Sequence, residues 1–183
     1  MTTNYEIKYY PVGVEATSFN PGDFILVETD GIPAKIIRFG QWVRYHGAMK
    51  KFAKWNHAAL IVSAEGDLIE ARPTDVSRKN ISEYTNCPVY VVSTRLNKQS
   101  QDQAIAAAES FLNDGYGWLT ILSIVLQLLT GVKFQVSFGN KVICSGLVAM
   151  SLWAGGIIFN DNPFQMMPAD LAAAFNMTRI PND

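Results

Sequence analysis

Three residues of this 183-residue chain carry side chains suited to covalent acyl transfer: Cys144, His57 and Glu70. The stretch "VICSGLVAMSLWAGG" reads as a helix that begins at or near Cys144 and stops at Gly155–Gly156. A helix start offers unpaired backbone N–H groups and the positive end of the helix dipole, and both favour thiolate, the nucleophilic form, over thiol. Ser145 and Gly146 are small enough to let a substrate carbonyl approach the backbone, where the N–H of Cys144 or Ser145 can hold an oxyanion. Ser145 is itself a rival nucleophile, but its hydroxyl gains nothing comparable from the dipole. A cysteine heading an apolar helix is equally well a small packing residue, so the chemistry needs a base as well. The chain holds two histidines, His46 and His57. His57 opens the strand in "KWNHAALIVSAEGDLIEA", beside the polar Asn56, which suits a reactive edge. Glu70, on the return strand, can fix the imidazole tautomer; Thr74 and Asp75 are alternative orienting groups.

The elements that must bring these groups together are a hairpin and a helix far apart in the chain. With Glu65–Gly66 as a two-residue turn, Ser63 faces Leu68, Ile61 faces Glu70, and Thr74 lies opposite His57. His57 and Glu70 then share a face by alternation but stand four residues, about 13 Å, apart along a flat ladder. Contact demands strong twist, a bulge or a wider turn.

Around this hairpin, residues 1–20 read as an extended arm, and "NPGDFILVETDG" as a strand over 24–28 covered on both faces. In "AKIIRFGQWVRYHG" a short helix would group Ile36, Ile37, Gly40 and Val43 on one face, with Arg38 and Arg44 pointing away. "PVYVVSTR" is a further strand. "SQDQAIAAAESFLND" is a helix with Ser100 as cap, Gln103 as its capping-box partner, and Ala104, Ile105, Ala108, Phe111 and Leu112 inward. Gly115 and Gly117 bracket Tyr116 and break the pattern, and "PADLAAAF" is a last helix with Pro168 at its first position and Asp170 in its first turn. Strands lead and helices follow, which predicts one α+β domain over 1–183, with helices packed on a small, strongly curved antiparallel sheet.

Bulk properties agree with one folded domain able to bury a core without staples. Two cysteines, Cys87 and Cys144, make no disulfide framework and read as free thiols, with no metal-site neighbourhood. The proposed chemistry calls for no cofactor. A formal net charge of -1 gives no overall pull toward nucleic acid. A local basic stretch exists, with Lys35, Arg38, Arg44, Lys50, Lys51 and Lys54 interleaved with Phe39, Trp42, Tyr45, Phe52 and Trp55. Such a stretch can track a phosphate backbone, yet it reads first as an amphipathic helix or ordered flap. The start "MTTNYEIKYYPVG" has neither the basic beginning nor the apolar run of a signal peptide, so cytoplasmic residence is expected unless another system exports the chain. The apolar run Trp118–Val132 would reach about 22 Å as a helix, short of a bilayer core of about 30 Å. It reads as a buried helix or a membrane-facing lip, so peripheral membrane contact is compatible with the sequence.

At these same residues the chain resembles the circularly permuted branch of the NlpC-type, papain-like cysteine hydrolases, the YiiX-like group related to lecithin retinol acyltransferase. "PGDFILV" is similar to the family's opening Gly-Asp strand, "NHAALIV" to its histidine strand, and "GDLIEA" to the strand whose polar residue completes the triad. "DGYGW", "VICSGLVAMSLWAGG" and "MMPADLAAAF" resemble the Gly/Tyr segment, the nucleophile helix and the Pro-x-Asp-Leu segment. Over roughly residues 20–175 the resemblance implies a permuted papain-like fold, with Cys144 as nucleophile, His57 as base and Glu70 as orienting acid. Ser145 and Tyr116 would support the pocket or oxyanion. The implied activity is that of a thiol-dependent hydrolase or acyltransferase, a cysteine peptidase or amidase type of enzyme. Its substrate would be a peptide, a peptidoglycan fragment or a lipid acyl group. Asn56 stands where many relatives carry a small residue or serine. The alternative is a non-catalytic structural or binding module of the same fold, with Trp42, Trp55 and Met166–Met167 as a protein-partner surface.

Overall fold

The computed structural model describes residues 5–72, 75–112 and 143–177. Its centre is a six-stranded sheet of β1 (Glu6–Tyr10), β2 (Phe24–Val27), β3 (His57–Ile61), β4 (Asp67–Ala71), β5 (Val76–Asn80) and β6 (Val89–Ser93). The order across it is β1-β6-β2-β3-β4-β5, with every neighbouring pair antiparallel. With helices packed against it, the chain is α+β, as the order of elements in the sequence predicts.

The central strands are short, continuous apolar runs because both faces are covered. Phe24, Leu26, Ala58, Leu60 and Ile69 join the main core beneath the helices, while Ile25, Val27, Ala59, Ile61 and Leu68 join a second cluster with Ile81, Tyr84 and Cys87. Alternation along each strand thus feeds two cores rather than a core and solvent. The edges are different. Within the N-terminal stretch, residues 6–10 pair with β6, a role their sequence does not announce. The other edge, β5, carries "VSRKN", whose Arg78 and Lys79 suit an edge that must not recruit another strand.

Four α-helices are described: α1 (Ile32–Arg44), α2 (Lys98–Ser110), α3 (Cys144–Ala154) and α4 (Pro168–Ala174). Short 3-10 turns cover Gly47–Lys54, Ile81–Tyr84 and Pro163–Gln165. In α2 the cap is Asn97, whose side chain accepts the Ser100 N–H at 3.0 Å, not Ser100 as the capping-box pattern suggests. Asparagine and serine compete for this role on equal terms, and the helix simply starts one turn earlier. Helix α3 packs on β3, β4 and α2. Its Leu147 and Leu152 are fully buried, each a residue whose truncation to alanine costs about 2–5 kcal/mol in a core. Helix α4 begins with Pro168, and the Asp170 carboxylate accepts the Met167 N–H at 2.9 Å, the first-turn acid foreseen from the sequence.

Helix α1 departs from its expected orientation. It buries Ala34, Ile37, Gly40 and Gln41, while Ile36 is exposed and Val43 half-buried. The reason is Gln41, whose amide donates to the carbonyls of Ala53 (3.2 Å) and Trp55 (2.7 Å) and accepts the Ala169 N–H (2.8 Å). A fully satisfied buried amide outweighs the pull of the larger apolar side chains. Trp55, Met166 and Met167 are buried as well, which removes them from the partner surface drawn from the sequence; Trp42 remains 56% exposed.

Candidate active site

The turn between β3 and β4 decides whether the hairpin residues can meet. Val62 N–H donates to the Asp67 carbonyl at 2.8 Å, so four residues, Ser63–Gly66, make the turn instead of two. Ser63 Oγ donates to the Asp67 carboxylate at 2.9 Å and accepts the Asp67 N–H at 3.0 Å, closing the loop from within. Gly66 sits at φ 86°, where a Cβ would come within 2.7 Å of Ile81 Cγ2. The register is consequently Ile61 opposite Leu68 and Leu60 opposite Ile69. Continued by alternation, it sets Ala59 opposite Glu70 and makes His57 and Glu70 same-face diagonal neighbours. The sequence-based register, with Ile61 facing Glu70, is therefore corrected by two residues, and the gap of about 13 Å closes. His57 Nε2 donates to Glu70 Oε2 at 2.6 Å.

Glu70 is completely buried, and burial alone would raise its carboxyl pKa. The hydrogen bond and charge of His57, the Tyr84 hydroxyl and the Arg72 guanidinium overcome that and hold it below the ordinary carboxylate range. Tyr84 Oη donates to Glu70 Oε2, and Arg72 Nε donates to Oε1. Tyr84 also stacks on the imidazole, with ring centroids 6.1 Å apart. Neither residue was singled out from the sequence. Arg72 had a signal, since it lies two positions after Glu70 on the same strand face; Tyr84 reaches the site from a 3-10 turn and had none. Thr74 lies outside the described residues, and the Asp75 carbonyl accepts the Arg72 N–H at 2.8 Å on the return to β5.

Asn56 fixes the start of β3. Its amide oxygen accepts the Thr29 N–H (3.0 Å) and hydroxyl (2.8 Å), and its amide nitrogen donates to the Thr29 carbonyl (2.8 Å). His57 is thus the first residue of a strand whose entry is clamped to the end of β2.

Cys144 is the first residue of α3, after Ile143, whose side chain caps nothing. Helix α3 lies against the face of Ala58 and Leu60, while His57 alternates to the other. The two influence each other where both elements begin: the charge of His57, its side chain and the backbone N–H groups of Ala58 and Ser145 all favour the ionised sulfur. With Nε2 taken by the Glu70 carboxylate, Nδ1 is the ring nitrogen left for sulfur. Burial opposes ionisation of Cys144, but the His57 charge and these groups outweigh it and lower the thiol pKa from 9.0. On His57, burial disfavours the charged form, and the Cys144 sulfur, then Glu70, more than reverse this and raise its pKa. The arrangement stabilises a thiolate–imidazolium pair.

The Ser145 hydroxyl donates to the Met166 carbonyl at 2.6 Å and is fully buried, so only its backbone N–H faces the chemistry. Tyr116, "DGYGW" and the apolar run 118–132 lie outside the described residues. A cavity of about 460 Å³ is lined by His57, Arg72, Tyr84, Asn86, Pro33 and Ile37 among others. Cys144 is not among its lining residues and is 2% exposed. Cys87, free like Cys144, lines the same cavity, where burial raises its thiol pKa. His46, the other histidine, is exposed and precedes the 3-10 turn at Gly47–Lys54. Among the described residues no helix is long and apolar enough to cross a membrane, and no family model and no curated protein matches this chain.

Proposed function

We propose that the chain is a cysteine-dependent hydrolase or acyltransferase of the permuted papain-like kind. The observation that carries this reading is His57 hydrogen-bonded to the buried Glu70 at 2.6 Å and electrostatically paired with Cys144, whose thiol pKa is lowered while the imidazole pKa is raised. His57 Nδ1 takes the thiol proton, and the sulfur attacks an amide or ester carbonyl. As the C–S bond forms, the carbonyl electrons move to oxygen, which backbone N–H groups at the head of α3 stabilise. The intermediate collapses with loss of the amine or alcohol, which receives the proton from His57. Water, deprotonated by His57, then cleaves the thioester and frees the acid; another acceptor in place of water gives acyl transfer. Glu70, held by Tyr84 and Arg72, keeps the imidazole oriented throughout. Candidate substrates remain peptide amides, including those of peptidoglycan, and lipid esters.

A second reading is favoured by one specific observation, the 2% exposure of Cys144 within the main core cluster. In that reading the fold is a structural or binding module, and the buried pair only packs. Iodoacetamide labelling of the native protein as a function of pH separates the two. An activated pair gives alkylation that starts below the ordinary thiol range, with an inflection that His57→Ala moves upward. Labelling that appears only on unfolding, or a profile unchanged by His57→Ala, supports the module and removes catalysis. Labelling with acyl probes based on peptide amides and lipid esters then assigns the substrate class.

A further inference from the structure

Helix α1 is built inside out. Its buried face carries Ala34, Gly40 and the polar Gln41 beside Ile37, whereas Ile32, Ile36, Phe39 and Trp42 are 76, 37, 50 and 56% exposed. The spacing 32, 36, 39 puts three of these on one stripe, with Trp42 one turn beyond Phe39. Contiguous apolar side chains on an outer helix face mark a surface that something covers. Lys35 on the helix and Lys50 and Lys51 on the following 3-10 turn are all exposed, and among the described residues none is in an ion pair. Lys50 Nζ lies 4.2 Å from the Trp42 ring centroid, so one apolar and one cationic group stand together at the edge of the stripe. The acidic groups beside the helix, Glu28 and Asp30, are met by Arg38 at 3.0 and 3.8 Å.

From the apolar stripe, its indole edge and its unpaired cations, we propose that the outer face of α1 docks on an anionic lipid bilayer. Ile32, Ile36 and Phe39 enter the acyl boundary, Trp42 lies at the headgroup level, and the three lysines meet the lipid charge. This composition fits lipid better than a protein partner, because a protein interface core is depleted of lysine. Three further exposed apolar side chains, Trp153, Ile158 and Phe164, lie in a stretch whose one charged residue is Asp161, the wrong sign for the same target. The inference does not depend on the cysteine chemistry. It does have a geometric consequence, since Pro33 and Ile37 of the same helix line the cavity that reaches His57.

Flotation of the full chain with phosphatidylcholine vesicles, with and without phosphatidylserine at about 30 mol %, tests this. The expected result is binding to the anionic vesicles that falls as salt rises. Each of Lys35→Gln, Lys50→Gln and Lys51→Gln should weaken it about fivefold, the equivalent of about 1 kcal/mol per lysine. Phe39→Ser with Trp42→Ser should abolish it, and Ile158→Ser should leave it intact, all with unchanged unfolding midpoints as exposed substitutions allow. Failure of the folded wild-type chain to float overturns the proposal, and so does flotation indifferent to the lysine and stripe variants. A dimer that replaces flotation and is lost with Phe39→Ser and Trp42→Ser overturns it too, in favour of a second copy as the occupant.

Discussion

Glu70 is the residue around which the site is organised, since it takes three donors while fully buried: His57, Tyr84 and Arg72. Tyr84→Phe removes one of them and leaves the ring that stacks on His57. A hydrogen bond to a buried charge contributes about 1.5–3 kcal/mol, so the unfolding free energy should drop by that amount, read as a lower urea midpoint with an unchanged slope. The alkylation inflection of Cys144 should also shift, because Glu70 raises the imidazole pKa that in turn lowers the thiol. The three candidate residues were legible in the sequence as types: a thiol at a helix head, an imidazole at a strand start and an acid of matching parity. The supporting donors were less so. Arg72 follows from alternation once Glu70 is chosen, but the reach of Tyr84 is a tertiary fact with no periodic signature.

At the scale of elements, the β3–β4 turn is what converts matching parity into contact. Gly66→Ala would place a side chain at φ 86° and within 2.7 Å of Ile81 Cγ2. Both strain and overlap oppose it, and a loss of about 1–3 kcal/mol is expected in chemical denaturation. Because the turn fixes the register of Glu70, the same substitution should slow Cys144 alkylation, while a substitution at the exposed Arg78 of β5 should not. The sequence marked a turn here through Glu65–Gly66 but not its length, since the Ser63 hydroxyl that closes the four-residue loop resembles any polar strand-end residue. Strand β2, helix α3 and helix α4 were legible because short apolar runs, glycine stops and a first-turn proline act locally. Strand β1, strand β5 and the outward face of α1 were not, because pairing partners and the buried Gln41 network override local pattern.

Across the whole molecule, folding is linked to pH through the same groups. The Glu70 carboxyl is depressed in the fold, so its stabilising contribution is present above the ordinary value of 4.5 and fades as pH falls through the folded value. His57 is raised, so its contribution is present below its ordinary 6.5 and is lost as pH rises through about 10. The Glu70 contribution should therefore fade on the acid side, and the gap between the wild type and Glu70→Gln should narrow below pH 4.5. A curve for the wild type that parallels Glu70→Gln throughout the acid range would count against this linkage. The sheet adds a consequence of another kind. Residues 6–10 cover the outer side of β6, a strand of "VYVVS" with no charge of its own. A chain clipped after Tyr10 would bare that row of amides and carbonyls on a nearly all-apolar ribbon. Proteolytic nicking near the amino end would then convert the folded chain into a seed for chain-to-chain strand addition and precipitation.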